Sequence, residues 1–159
     1  MVYEFSIRTF EPQEFIDITT YVYRALETSG VESGVCLVFV PHTTAAVTIN
    51  ENADPDVVED ILGELNMLVP AHDGYAHIEG NSAAHIKSSM MGVSLQVVIH
   101  EGELLMGRWQ GIYLAEFDGP RTRTVYVKVQ PDPEHFKTIN LEAIEMSDDE
   151  NENQNSDET

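Results

Sequence analysis

Three histidines stand where a chain can hold a side chain rigidly at the edge of a cleft. His42 follows Pro41 at the end of the apolar run Val35-Cys36-Leu37-Val38-Phe39-Val40. His77 and His85 bracket Ile78-Glu79-Gly80-Asn81-Ser82, a turn that runs into a helix. Neutral imidazole is a common ligand for zinc and related metals, and three histidines can form a set that leaves positions open for water or substrate. The spacing matches no local metal motif of the HExxH kind, so unrelated core or surface roles compete with a shared site. His72 in Pro-Ala-His-Asp, His100 beside a hairpin turn and His135 near the C-terminal segment read as solvated loop histidines.

Other candidates gather around polar turns. Thr48-Ile49-Asn50-Glu51-Asn52-Ala53-Asp54 places a carboxylate, Glu51, between a strand and a helix start, where it can serve as acid, base or partner to a histidine. Gly80-Asn81-Ser82 can offer backbone N–H groups to an anion, with Lys87 one to two turns on, although Asn and Ser at a helix start also serve as ordinary caps. Trp109 lies between Gly107 and Gly111, a pattern that suits close approach of another group to the backbone; a lone Trp is equally a core residue. In Glu116-Phe117-Asp118-Gly119-Pro120-Arg121, turn chemistry explains the middle, leaving Glu116 and Arg121 as functional candidates.

These residues need a frame, and the hydrophobic pattern supplies one. Alternation predicts strands at 3–9 and 123–130, the latter with Val125, Val127 and Val129 on one face; 35–40, apolar on both faces, reads as a central strand, and 45–49 as a further β-rich run. A hairpin is predicted from 93–99 through Glu101-Gly102 into a long second strand, 104–117. Helical spacing with stop signals predicts helices at 19–28, ending at Gly30, and at 82–90, ending at Gly92. Between them, Asp54 as N-cap and Pro55 at the first helical position open a helix whose stripe is Val57, Val58, Ile61, Leu62, Leu65 and Leu68. The sum is an α+β domain, mixed or antiparallel sheet packed with two to three helices.

Composition bounds the rest. The chain has 159 residues and a net charge of −20, so nucleic acid and anionic membranes repel it. Its eight basic residues are unevenly spread: Lys87, Arg108, Arg121, Arg123 and Lys128 fall in one stretch, which makes either a local anion site or solvated strand edges. Cys36, the single cysteine, reads as a core residue and fits a reducing compartment. No apolar stretch approaches the roughly 18 residues of a membrane span, and no leader is visible, so the expected location is cytoplasmic. The domain is drawn at 1–145, with a short helix around 141–144, and residues 146–159 are expected to form an acidic disordered tail.

The motifs His42-Thr43-Thr44-Ala45-Ala46, Asn50-Glu51-Asn52-Ala53-Asp54-Pro55, Ala84-His85-Ile86-Lys87-Ser88-Ser89 and Gly107-Arg108-Trp109-Gln110-Gly111-Ile112 stand in the order seen in the YjbQ family, also called the secondary thiamine-phosphate synthase family. The chain resembles that family over about residues 3–130. The resemblance implies a compact α+β domain, a homotrimer, and a metal site at His42, His77 and His85 near a subunit junction. It also implies the joining of a pyrimidine pyrophosphate to a thiazole phosphate with release of pyrophosphate. On that reading a divalent metal, zinc or magnesium, holds a small phosphorylated metabolite. Glu51 or Glu116 handles protons, and Asn50, Asn81, Lys87, Ser88, Trp109, Gln110 and Arg121 contact substrate. Two alternatives stand beside it: a metal-dependent hydrolase of another small metabolite, and a trimeric metal- or metabolite-binding protein without catalysis.

Overall fold

In the computed structural model, which describes residues 1–134, the chain forms two antiparallel sheets and three helices. In chain order these are β1 (Val2–Arg8), β2 (Glu14–Asp17), α1 (Thr19–Ser29), β3 (Gly34–Phe39), β4 (Ala45–Glu51), α2 (Pro55–Leu68), α3 (Ser82–Met91), β5 (Ser94–His100), β6 (Glu103–Leu104), β7 (Gln110–Glu116) and β8 (Thr122–Pro131). The larger sheet has the order β1-β8-β3-β5-β6 and the smaller β2-β7-β4. The expected helix at 141–144, the tail and His135 lie outside the described residues.

Period-two patterning sets the layers. Val125, Val127 and Val129 of β8 point inward with Cys36 and Val38 of β3, meeting Val22, Ala25 and Leu26 of α1 and Val47, Ile112 and Leu114 of the smaller sheet in one core. Each such fully buried valine or leucine contributes roughly 1.5–3 kcal/mol. The other face of the smaller sheet, through Ala46 and Ala115, is covered by Ala84 of α3 and by Leu62 and Leu65 of α2. Cys36 is a core residue as its sequence setting implies, and burial pushes its thiol up to about 11.

Helix ends follow their local signals. Asp54 caps α2 by accepting from the Asp56 N–H at 3.0 Å, and Gly30 closes α1 in the left-handed conformation at φ 65°. The stripe of α2 behaves differently from expectation, because no residue of the helix is fully buried. Met67 and Leu68 are largely exposed, since among the described residues nothing covers the outer side of its last turn.

The predicted hairpin is half right. β5 turns through Glu101 and Gly102, both at positive φ, into a two-residue β6 that pairs Ile99 with Leu104. The expected strand at 104–117 then breaks. Residues 105–109 form a loop with a turn at 108–109, and β7 joins the other sheet between β2 and β4. Apolar residues flank the break on both sides, at 104–106 and 112–115, so composition could not reveal the change of sheet. β2, too short to show a pattern, was not among the predicted strands.

Close packing at Gly34 gives a direct test of the β3–β8 register. A Cβ there would lie 2.1 Å from the Gln130 carbonyl oxygen, backbone against backbone. Gly34→Ala should therefore cost about 1–3 kcal/mol, read as a lower midpoint in denaturant at unchanged slope. An unaffected midpoint would show that the register is wrong.

Candidate functional site

The turn between β3 and β4 carries His42, and α3 carries half-buried His85, buried Ser88 and exposed Ser89. Together with Phe39, Val40, Pro41, Thr43, Gly92 and Val93 they wall a cavity of about 720 Å³. His77, in the loop before α3, sets its ring edge-to-face on His85 with centroids 5.4 Å apart. Its Nε2 lies 3.7 Å from Glu79 Oε2 at the exposed rim. The three histidines are thus neighbours in the fold, as expected, but they are linked pairwise through His85.

A hydrogen bond decides what His42 can do. Its Nε2 accepts from the Thr124 N–H at 2.8 Å. Neutral imidazole has one lone-pair nitrogen, so the proton sits on Nδ1 and His42 is a hydrogen-bond donor with no lone pair left for a metal. Burial lowers its pKa, Arg123 lowers it further, and Glu116 opposes them; the net shift is downward and keeps the ring neutral near pH 7.

The expected metal set is accordingly incomplete within one protomer. Among the described residues, no three His, Cys, Asp or Glu side chains are grouped to hold an ion. His77 and His85 fit as nitrogen ligands, while His42, as bonded here, does not.

The carboxylate expected to handle protons at Glu116 has a different task. It is fully buried, binds Arg123 through both oxygens, and accepts from Thr9 Oγ1 at 3.0 Å and the Asp118 N–H at 2.9 Å. Arg123 also donates to Thr44 Oγ1 at 2.8 Å, two residues from His42. This buried cluster braces the β3–β4 turn from behind. The partner Arg123 carries no sequence signal beyond its charge; it stands on β8 of the larger sheet and meets Glu116, on β7 of the smaller sheet, only in the folded chain.

Lys87 and Ser88 are likewise turned to structural use. Lys87 is 1 % exposed, and its Nζ donates to Gln13 Oε1 at 3.0 Å and to Asn66 Oδ1, tying α3 to α2 and to the β1–β2 loop. Burial lowers its pKa. Ser88 Oγ donates to the Ala45 carbonyl at 2.6 Å. Arg121 is paired with Asp118, Nη2 to Oδ2 at 2.8 Å. The basic stretch therefore does not converge on one anion site: its members face different partners, and none lines the His42–His85 cavity.

Asn50, Glu51, Trp109 and Gln110 gather elsewhere. β4 pairs with β7 so that Ala45 faces Glu116 and Glu51 faces Gln110. The seven-residue strand separates its ends by about 20 Å, with the histidines near the first end and these four at the second. Trp109 is 58 % exposed, in a turn closed by Gly107 N–H to Gln110 Oε1 at 2.7 Å, with the Arg108 guanidinium 5.4 Å from its ring centre. The core role for this tryptophan is thereby excluded. Among the described residues the Glu51 side chain has no hydrogen-bond partner; its backbone carbonyl accepts from Tyr113 Oη at 3.2 Å.

Known proteins can now be set beside this geometry. A family described as UPF0047 protein YjbQ-like matches residues 3–132. The chain belongs to the YjbQ family. It is 50% identical over 129 residues to a UPF0047 protein of Methanocaldococcus jannaschii, covering 81% of this chain and 94% of that one. It is 50% identical over 130 residues to the UPF0047 protein YugU of Bacillus subtilis, covering 81% and 98%. Among solved structures, an uncharacterized YjbQ/UPF0047-family protein of Clostridium acetobutylicum superposes with a TM-score of 0.80 at 55% identity, covering 80% of this chain and 99% of that one. A YjbQ-like protein of unknown function from Sulfolobus solfataricus gives 0.80 at 33% identity, covering 83% and 97%. These likenesses bear out the α+β architecture. No helix of the described residues is long and apolar enough to cross a membrane.

Proposed function

We propose that the His42–His85 cavity binds a small phosphorylated metabolite and that the chain is an enzyme of the secondary thiamine-phosphate synthase type. In that reaction a bond to the thiazole phosphate forms as the bond to pyrophosphate breaks, and pyrophosphate leaves with the electron pair. The observation that carries the reading is two imidazoles in the wall of one open cavity of about 720 Å³. One of them is fixed as an Nδ1–H donor. His42 donates a hydrogen bond to the anion without itself losing a proton, and His85, on the helical wall, supplies the second polar contact. Phe39, Val40, Pro41 and Val93 exclude water from the organic part of the substrate.

Among the described residues, the cavity wall has no lysine or arginine to balance a phosphate. A divalent metal, when bound, would supply that charge as a Lewis acid. His77 and His85 would hold it, and a nitrogen donor pair selects zinc over magnesium. Elemental analysis of protein purified without chelators should find zinc, lost in His85→Ala and retained in His42→Ala. Loss in His42→Ala would restore the three-histidine set, and a metal-free native protein would remove the ion from the account.

The contact of His77 with His85 also favours a second reading, metal-dependent hydrolysis of a small metabolite by an activated water. Release of product from a phosphoester or lactone, with no synthase turnover, would select it. A ligand that co-purifies and is never converted would select non-catalytic binding.

Assembly as a homotrimer belongs to the same reading. It is supported by α2, whose apolar stripe has no fully buried residue and whose Met67 and Leu68 face outward. The cytoplasm as the place of work is supported by one unpaired, buried cysteine.

A further inference from the structure

The larger sheet has one covered face and one open one. Its inner face meets α1 and the smaller sheet through Cys36, Val38, Val125 and Val127. The residues that alternate with these point outward, and strand register sets them side by side. Val35 lies between Gln130 and Val98, Leu37 between Lys128 and Gln96, and Phe39 between Tyr126 and Ser94. Leu105, whose N–H donates to the Val98 carbonyl, extends the first of these rows. Among the described residues this strip is left open: Phe39, Val98 and Leu105 are 39 %, 54 % and 57 % exposed. A contiguous apolar strip of this kind marks a contact surface.

The described chain ends on the same side. After β8, Asp132 is pinned to Ser33: its N–H donates to the Ser33 carbonyl at 2.9 Å, and its carboxylate accepts from Ser33 Oγ at 2.6 Å. Pro131, Asp132 and Pro133 share the walls of a cavity of about 300 Å³ with Val35, Leu37 and Gln96. The last three all belong to the outer face, so the chain leaves β8 over the open side of the sheet. It continues to Thr159, and its remaining large apolar side chains, Phe136, Ile139, Leu141, Ile144 and Met146, all fall within 135–146. The part shared with the family ends at residue 132, so this apolar segment lies beyond it.

We propose that residues 135–146 of this chain dock on the outer face of the larger sheet, with Phe136 and Ile139 seated against Val35 and Leu37 beside the point of exit. The length fits. From Gly34 to Phe39 the strip runs roughly 17 Å, and residues 135–146 span roughly 18 Å as a helix or about 40 Å extended. The tether favours this occupant over a second copy, because the contact is intramolecular and avoids the entropy loss of association. Phe39, at the far end of the strip, also walls the His42–His85 cavity, so the docked segment borders the candidate site.

Amide hydrogen exchange of the full chain, read by mass spectrometry, tests the contact. Residues 135–146 should exchange at least about tenfold more slowly than 147–159, and Leu37→Ser should remove the difference. A second reading leaves the sheet untouched: in Phe136→Ser with Ile139→Ser, the methyl resonances of Val35 and Leu37 should shift. Equal exchange of the two segments in the native chain, protection that survives Leu37→Ser, or methyl signals that stay in place each overturn the proposal. So do contacts to these methyls from a second copy, seen in a mixture of labelled and unlabelled chains.

Discussion

Glu116→Ala should lower the unfolding free energy by about 3–5 kcal/mol, because it leaves the Arg123 guanidinium buried without its anion. Both side chains are almost fully shielded from solvent, and the carboxylate is bonded by Arg123, Thr9 and the Asp118 N–H. At about 2–4 °C per kcal/mol for a chain of this size, thermal unfolding should fall by roughly 10 °C. Glu116→Leu combined with Arg123→Met should recover most of the loss, since a shape-filling apolar pair carries no desolvation cost. A loss below about 1 kcal/mol would mean that water reaches the pair.

The same cluster sets an acid limit. Burial by itself raises the Glu116 pKa, but hydrogen bonds from Arg123, the Asp118 N–H and Thr9, with the charge on Arg123, outweigh it, so the folded value lies below the ordinary 4.5. A depressed carboxyl contributes stability that is present above its unfolded pKa and lost as pH falls through the folded one. Unfolding free energy should thus decline below about pH 4.5, and more steeply in the native chain than in Glu116→Gln. Because Arg123 also holds Thr44, the cost extends to the turn that presents His42.

His85→Ala should reduce turnover of a pyrimidine pyrophosphate with a thiazole phosphate by at least about 100-fold, the scale of a lost catalytic histidine. His85 is the shared member of both histidine contacts: it walls the cavity with His42 and packs its ring edge-to-face with that of His77. His77→Ala, which removes a rim residue, should cost less. His100→Ala is the control, since His100 lies on β5 beside Glu101, outside the cavity lining. Turnover unchanged in His85→Ala would exclude the cavity as the site of reaction.

The strong local signals carried most of the frame. Asp54-Pro55, Gly30 and Gly92 mark helix ends through backbone chemistry that acts within a few residues, and the valines of β8 declare their buried face by alternation. Where the sequence misled, the deciding fact was long-range. The strand at 104–117 splits because β7 pairs with β4 and β2, a choice made by residues far apart in the chain. Glu116 and Lys87 look like surface chemistry until packing supplies Arg123 to one, and Gln13 and Asn66 to the other. The histidine neighbourhood was legible as a group. The tautomer of His42 was not, since it depends on the N–H of a residue on β8. Nor did the motifs reveal that Trp109 and Gln110 stand at the far end of β4 from the histidines.

The most direct test of the site is nitrogen-15 resonance of the histidine rings during titration with inorganic pyrophosphate at neutral pH. His42 should give the pattern of a neutral ring protonated at Nδ1, and the His42 and His85 signals should move together and saturate, with His72 and His100 unmoved. A His42 ring protonated at Nε2, or pyrophosphate that leaves both His42 and His85 unshifted, would contradict the account.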